Sequence, residues 1–259
     1  MIQIRASAAA RASSQLKTLP RPAGGSNRDW LAKAIGGHTA AGTIVLMGGV
    51  SLVQFRLRVA QSQARNDLLP SFWSHAALIR RLRGDRDWDL WEVSLEPSSG
   101  FAQMPLSNGV QRGRFAAYDD PKRFPNVAWL EVPAADGQGG DIASKLEQAV
   151  VTFRRQRSAV DLAPMMVDWL GFAWGVRDRT NPLLRNVGIP AAVFLQSVFA
   201  IAGIELAPGL GNQSCCPEAI WQAAKWWHEF FASPAALTGG PLRGKYWVGQ
   251  AEAAQLGEP

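Results

Sequence analysis

Cysteine is nearly absent from this sequence: two in 259 residues, at the adjacent positions Cys215 and Cys216. Neighbouring cysteines are poorly placed to bridge each other and staple no loop, so a disulfide framework is excluded. No Cys/His spacing of a structural metal site occurs either, and no metal or organic cofactor is expected. Histidine is scarce, with His38, His75 and His228 as the full set. Acidic residues are missing before Asp29, while Arg5, Arg11, Lys17, Arg21 and Arg28 supply five of the six net positive charges there. The body that follows is close to neutral and has no dense Lys/Arg patch interleaved with aromatics, which argues against a nucleic-acid partner. Residues 1–28 also lack the continuous apolar core of a secretory signal. They are expected to form a disordered basic tail, followed by one domain over 29–259. The unpaired thiols fit a reducing, cytoplasmic setting.

Long apolar runs are equally rare. Residues 187–206, "VGIPAAVFLQSVFAIAGIEL", carry only Gln196, Ser197 and Glu205 as polar side chains. The run has about the ~20 residues a membrane span needs. Gly188, Pro190 and Gly203 interrupt it and leave roughly a dozen helical positions, which favours a core helix near 191–202. The last helix reads differently: "PEAIWQAAKWWHEFF" sets Gln222, Lys225, His228 and Glu229 beside Ile220, Trp221, Ala224 and Trp227.

What is present reads as one α+β domain. "DWLAKAIGG" predicts a short helix, and "GTIVLMGG" a buried strand between glycines. "SLVQFRLRVAQSQA" has helical spacing at Leu52, Phe55 and Val59. "FWSHAALIRRL", "WDLWEVSLEP" and "NVAWLEVP" predict strands. "DIASKLEQAVVTFRRQR" predicts a helix over 141–157, capped by Asp141, with Ile142, Leu146, Ala149, Val150 and Phe153 on one face. "APMMVDWLGFAWGV" predicts another helix, and "RDRTNPLLRN" a basic loop.

The segments Gly42–Leu46, Ser51–Val53 and Ser74–His75 stand in the order strand, helix, strand opening on Ser-His. This order resembles the circularly permuted NlpC-type branch of the papain-like cysteine peptidase and amidase superfamily. Thr43 stands where the family usually has an aspartate. "LEPSSGFAQMPL" resembles the family's next strand end and places Glu96 at its carboxylate position. The resemblance covers about residues 42–220. It implies a small antiparallel sheet packed on a buried apolar helix, with His75 as base and Glu96 as the group that orients it. Glu92, on the same strand parity as Glu96, competes for that place.

Two positions compete for the nucleophile. Cys216, in "SCCPEAIW", is a thiol at a helix start, followed by Pro217 and Glu218. Position 191 is the other: counting back from "AGIEL" puts the family's cysteine slot on Ala191, and "VDWLGFAWG" matches the family segment that precedes it. That register accounts for more of the chain, and the all-apolar helix suits a nucleophile helix wrapped by a sheet. Ala191 would then mark a pseudoenzyme or a Cys→Ala replacement, the latter consistent with retention of His75 and Glu96. The resemblance implies thiol-dependent hydrolysis or transfer at an amide, isopeptide or ester carbonyl of a peptide, protein or lipid-ester substrate. A non-catalytic binding module on the same fold is one alternative. The other is a lipid-directed acyltransferase or esterase similar to lecithin:retinol acyltransferase-like proteins, with Trp221, Trp226 and Trp227 at a membrane surface.

Overall fold

The computed structural model describes residues 16–36, 41–83, 87–96, 107–131, 139–156, 160–176, 179–230 and 242–249. Seven strands form one sheet: β1 (Leu16–Thr18), β2 (Ile44–Gly48), β3 (His75–Arg83), β4 (Asp87–Glu92), β5 (Gln111–Arg114), β6 (Asn126–Glu131) and β7 (Arg243–Trp247). Their order is β1-β7-β6-β2-β3-β4-β5. Only the β1–β7 pair is parallel, and the other neighbours run antiparallel. The α+β expectation holds, but the sheet is mixed and broader than a small antiparallel one.

Six helices lie among the described residues: α1 (Asn27–Ile35), α2 (Leu52–Ala60), α3 (Gly139–Arg155), α4 (Leu162–Ala173), α5 (Pro190–Ile201) and α6 (Pro217–Phe230). Local chemistry sets their ends. Ser26 caps α1 in a reciprocal capping box with Asp29, and Ser51 accepts from the Gln54 N–H at the start of α2. Pro190 opens α5, where its missing N–H costs nothing. No helix among the described residues is long and apolar enough to cross a membrane. The run 187–206 contributes α5, whose residues from Pro190 to Phe199 are all buried.

Alternation along the strands divides the core in two. Ile44, Leu46, Ala76, Leu78, Trp91, Val93, Ala128 and Leu130 pack with α3, α4, α5 and α6. Val45, Met47, Ala77, Ile79, Trp88, Leu90, Val127 and Trp129 pack with Trp30, Leu31, Ala34 and Ile35 of α1 and with Phe115 and Tyr118. The α5 side is the larger layer. The α1 side is a smaller cap of one helix and the 3-10 turn Phe115–Tyr118.

Residues 16–28 of the stretch expected to be a disordered tail are built into the fold. Leu16–Thr18 adds a strand beside β7, the Leu19 carbonyl accepts from Trp30 Nε1 at 2.7 Å, and Arg21 donates to Asn27 Oδ1 and to the Pro125 carbonyl. Asn27 itself is buried and donates to the carbonyls of Tyr118 and Phe124. The partners in β7, Tyr118, Phe124 and Pro125 lie far away in sequence, so composition alone could not announce them. Residues 1–15 lie outside the described residues, as does His38.

Candidate functional site

His75 is the first residue of β3, opposite Met47. Strand parity places it with Ala77 and Ile79, so its ring points to the α1 side. Glu92, the last residue of β4, pairs with Ala77 across the ladder and therefore points to the same side, diagonally next to His75. His75 Nε2 and Glu92 Oε2 are 3.1 Å apart, and the Tyr118 hydroxyl donates to the same oxygen at 2.6 Å. The Tyr118 ring stacks on the His75 ring with centroids 5.4 Å apart.

All three residues are buried. Burial first, then the adjacent Glu92 charge, pushes the Tyr118 phenol well above its ordinary value, so it remains a donor. Gly113 makes the space: a Cβ there would come within 2.1 Å of Glu92 Oε1. His75 is thus a hydrogen-bonded imidazole in a tight polar triad of His, Glu and Tyr.

Glu96 does not take the position beside His75. β4 ends at Glu92, whose Oε2 hydrogen-bonds to His75, and Glu96 reaches the triad only through its charge on Tyr118. Glu96 is exposed and accepts from Gln54 Nε2 at 2.7 Å. Motif spacing favours Glu96; the antiparallel register favours Glu92, and sequence cannot supply that register. Tyr118 and Gly113 went unnoticed in the sequence. Their only signal was that Tyr118 is one of two tyrosines in the chain.

The candidate nucleophiles lie elsewhere. Ala191 is the second residue of α5, buried in the larger core with Cys215 and Cys216. The two competing helix starts are tied together: the Gly188 N–H donates to the Gln213 carbonyl at 2.7 Å and the Ile189 N–H to the Cys215 carbonyl at 2.9 Å. The approach is so close that a Cβ on Gly188 would meet the Cys215 carbonyl oxygen at 2.4 Å. Trp169 Nε1 braces the junction by donating to the Gly188 carbonyl at 2.6 Å.

Burial pushes the Cys215 thiol well above its ordinary value and that of Cys216 up to about 12. A helix start favours a thiolate. Here the apolar surroundings outweigh it. Glu218, two residues after Cys216, is fully buried and serves structure: it accepts from Ser71 Oγ at 2.6 Å, and its own N–H donates to Gln61 Oε1 at 2.9 Å. Gln61 Nε2 in turn donates to the Trp73 carbonyl at 2.8 Å. The helix starts therefore meet the chain just before β3, at the end of the sheet where His75 begins. They share that end with His75 but belong to the opposite face.

Trp221, considered for a membrane surface, packs inward, edge-on to Trp73 and Tyr246 at 5.1 and 5.0 Å. The side chains of Trp226, Trp227 and His228 lie outside the described residues, as does that of Asp141. No group of three or more His, Cys, Asp or Glu among the described residues is arranged to hold a metal ion. Comparison with known proteins finds no matching family model, no matching curated protein and no matching solved structure.

Proposed function

We propose that this chain is a non-catalytic binding module on an α+β scaffold of the permuted papain-like kind, holding a peptide-, isopeptide- or lipid-ester-like ligand without cleaving it by thiol chemistry. One observation carries this reading. The His75 ring is engaged by Glu92 and Tyr118 on the α1 side, whereas Ala191, Cys215 and Cys216 belong to the core on the α5 side. A thiol nucleophile needs its base within hydrogen-bond reach, and a buried thiol with a raised pKa holds almost no thiolate near neutral pH. The unpaired cysteines favour a cytoplasmic location for the module.

Alkylation with iodoacetamide at pH 7, read by mass spectrometry, tests the proposal on the native chain and on Ala191→Cys. Cys215 and Cys216 should stay unmodified until urea unfolds the chain. The thiol introduced by Ala191→Cys should react no faster than they do.

A second reading is favoured by the position of Ala191 at the buried start of α5, directly after Pro190. In that reading the chain is a thiol hydrolase whose nucleophile position has been vacated. The thiol introduced by Ala191→Cys would then alkylate selectively below pH 7 and turn over an ester or peptide reporter in a His75-dependent way. That outcome would overturn the binding-module reading.

A further inference from the structure

We propose that Arg112 and Arg154, gathered with Arg80 around Trp91 at the β4–β5 edge of the sheet, form a binding site for a phosphoryl anion. The site does not depend on how residue 191 is read. Trp91 sits on β4, and Arg112 lies directly across from it on the edge strand β5. Arg80 reaches over from β3 and Arg154 from the last turn of α3. The three guanidinium carbons lie 5.5, 5.3 and 5.1 Å from the Trp91 ring centroid for Arg80, Arg112 and Arg154. The indole thus acts as a common platform that holds three planar cations by cation–π attraction.

The hydrogen-bonded acid nearby, Glu147, pairs directly with Arg80 and acts on Arg154 only through its field. Trp91 Nε1 donates to Glu147 Oε2 at 2.9 Å, and Glu147 Oε1 accepts from Arg80 Nε at 3.0 Å. Arg80 also lies 4.0 Å from Asp89, which is bound at 2.9 Å by Arg81. Among the described residues, the side chains of Arg112 and Arg154 make no ion pair and no hydrogen bond, and Arg154 Nε is buried without an acceptor.

Burial first, then the like charges of Arg112 and Arg155, lower the Arg154 pKa, with the Glu147 carboxylate opposing them. The Arg112 guanidinium is thus close enough to be felt at Arg154. A helix C-terminus accounts for basic residues at 154 and 155. It does not account for a third unpaired guanidinium aimed at them from the edge strand. A tetrahedral anion with more than one charge and several acceptor oxygens fits such planar donor forks better than a single carboxylate does. Two sources offer that chemistry: a soluble phosphate ester and an anionic lipid headgroup.

The test titrates the full folded chain with inorganic phosphate against potassium chloride of matched ionic strength, by calorimetry and thermal shift. A parallel arm sediments the protein with phosphatidylcholine vesicles, with and without phosphatidic acid. Saturable phosphate binding weakened at least tenfold by Arg112→Gln or Arg154→Gln, and unchanged by Arg114→Gln, supports the site with a soluble source. Binding only to phosphatidic acid vesicles, lost in the same two variants, supports it with a lipid source. Should a Gln variant lose its native circular dichroism, Arg112→Lys decides, since it keeps the charge and removes the fork; at least a threefold loss is expected. No saturable binding in either arm, an equal response to chloride, or unchanged affinity in the natively folded Arg112 and Arg154 variants overturns the proposal.

Discussion

On the α1 side of the sheet, a polar triad is hydrogen-bonded from within: His75 and Tyr118 both reach Glu92 Oε2, at 3.1 and 2.6 Å. On the α5 side, at the same end of the sheet, two cysteines and an alanine sit at adjoining helix starts among apolar neighbours. The papain-like pattern asks these two regions to share one site. The strand pleat instead assigns them to different layers, because a one-residue step along β3 reverses the face a side chain meets. Ser74 has the parity of Ala76 and Leu78 and donates to the Met47 carbonyl at 3.2 Å, while its neighbour His75 points the other way. A resemblance in order and spacing can therefore fall on residues that belong to different layers.

The largest expected effect tests whether the α5 layer is mainly a packed core. Phe194 is fully buried on α5 and meets Phe153 edge-on at 5.6 Å. Phe194→Ala should cost about 3–5 kcal/mol in urea unfolding. The triad should keep its geometry until global unfolding, because Phe194 belongs to the other layer. Early loss of the Tyr118 signal in ultraviolet titration would mean that the two layers are coupled.

A somewhat smaller effect is expected from filling the space around Glu92. Gly113→Ala drives a methyl group into the carboxylate, which must move and release His75 and Tyr118. Overpacking and lost hydrogen bonds together should cost about 3 kcal/mol. Next comes Tyr118→Phe, which keeps the ring on His75 and removes only the hydroxyl donor; about 1.5 kcal/mol is expected. If Tyr118→Phe proves neutral, the hydroxyl adds nothing to the triad and Glu92 relies on His75.

The elements were largely legible in the sequence, and the pairings between them were not. "GTIVLMGG", "NVAWLEVP" and "APMMVDWLGFAWGV" become β2, β6 and α4 close to their expected bounds, since burial and periodicity are local signals. β1, β5 and β7 were missed. They are strands of three to five residues with polar sequences such as "QRGR" and "RGKYW", held by partners remote in sequence rather than by an apolar pattern. The candidate site divides in the same way. His75 was singled out by the Ser-His order at a strand start, not by its apolar strand; its hydrogen-bond partner required the β3–β4 register, and the layer of each candidate nucleophile required the whole sheet.

The smallest effect sharpens the comparison at Glu218, the buried carboxylate of the α5 layer. Burial raises its pKa despite donors from Ser71 and Gln222. A carboxyl group whose folded pKa exceeds its unfolded value, ordinarily near about 4.3, binds its proton more tightly in the folded state. Its contribution to stability is therefore complete below the unfolded value and is lost as pH rises through the raised folded value. Glu218→Gln keeps the shape and an acceptor without the charge, so it escapes that loss. The difference in urea midpoint between the variant and the native chain should shift in favour of the variant between pH 4 and pH 7. If the shift runs in the opposite direction, Arg65 and Lys225, the cations that favour ionisation of Glu218, outweigh its burial. The α5 layer would then hold a working charge rather than a carboxyl group trapped in apolar surroundings.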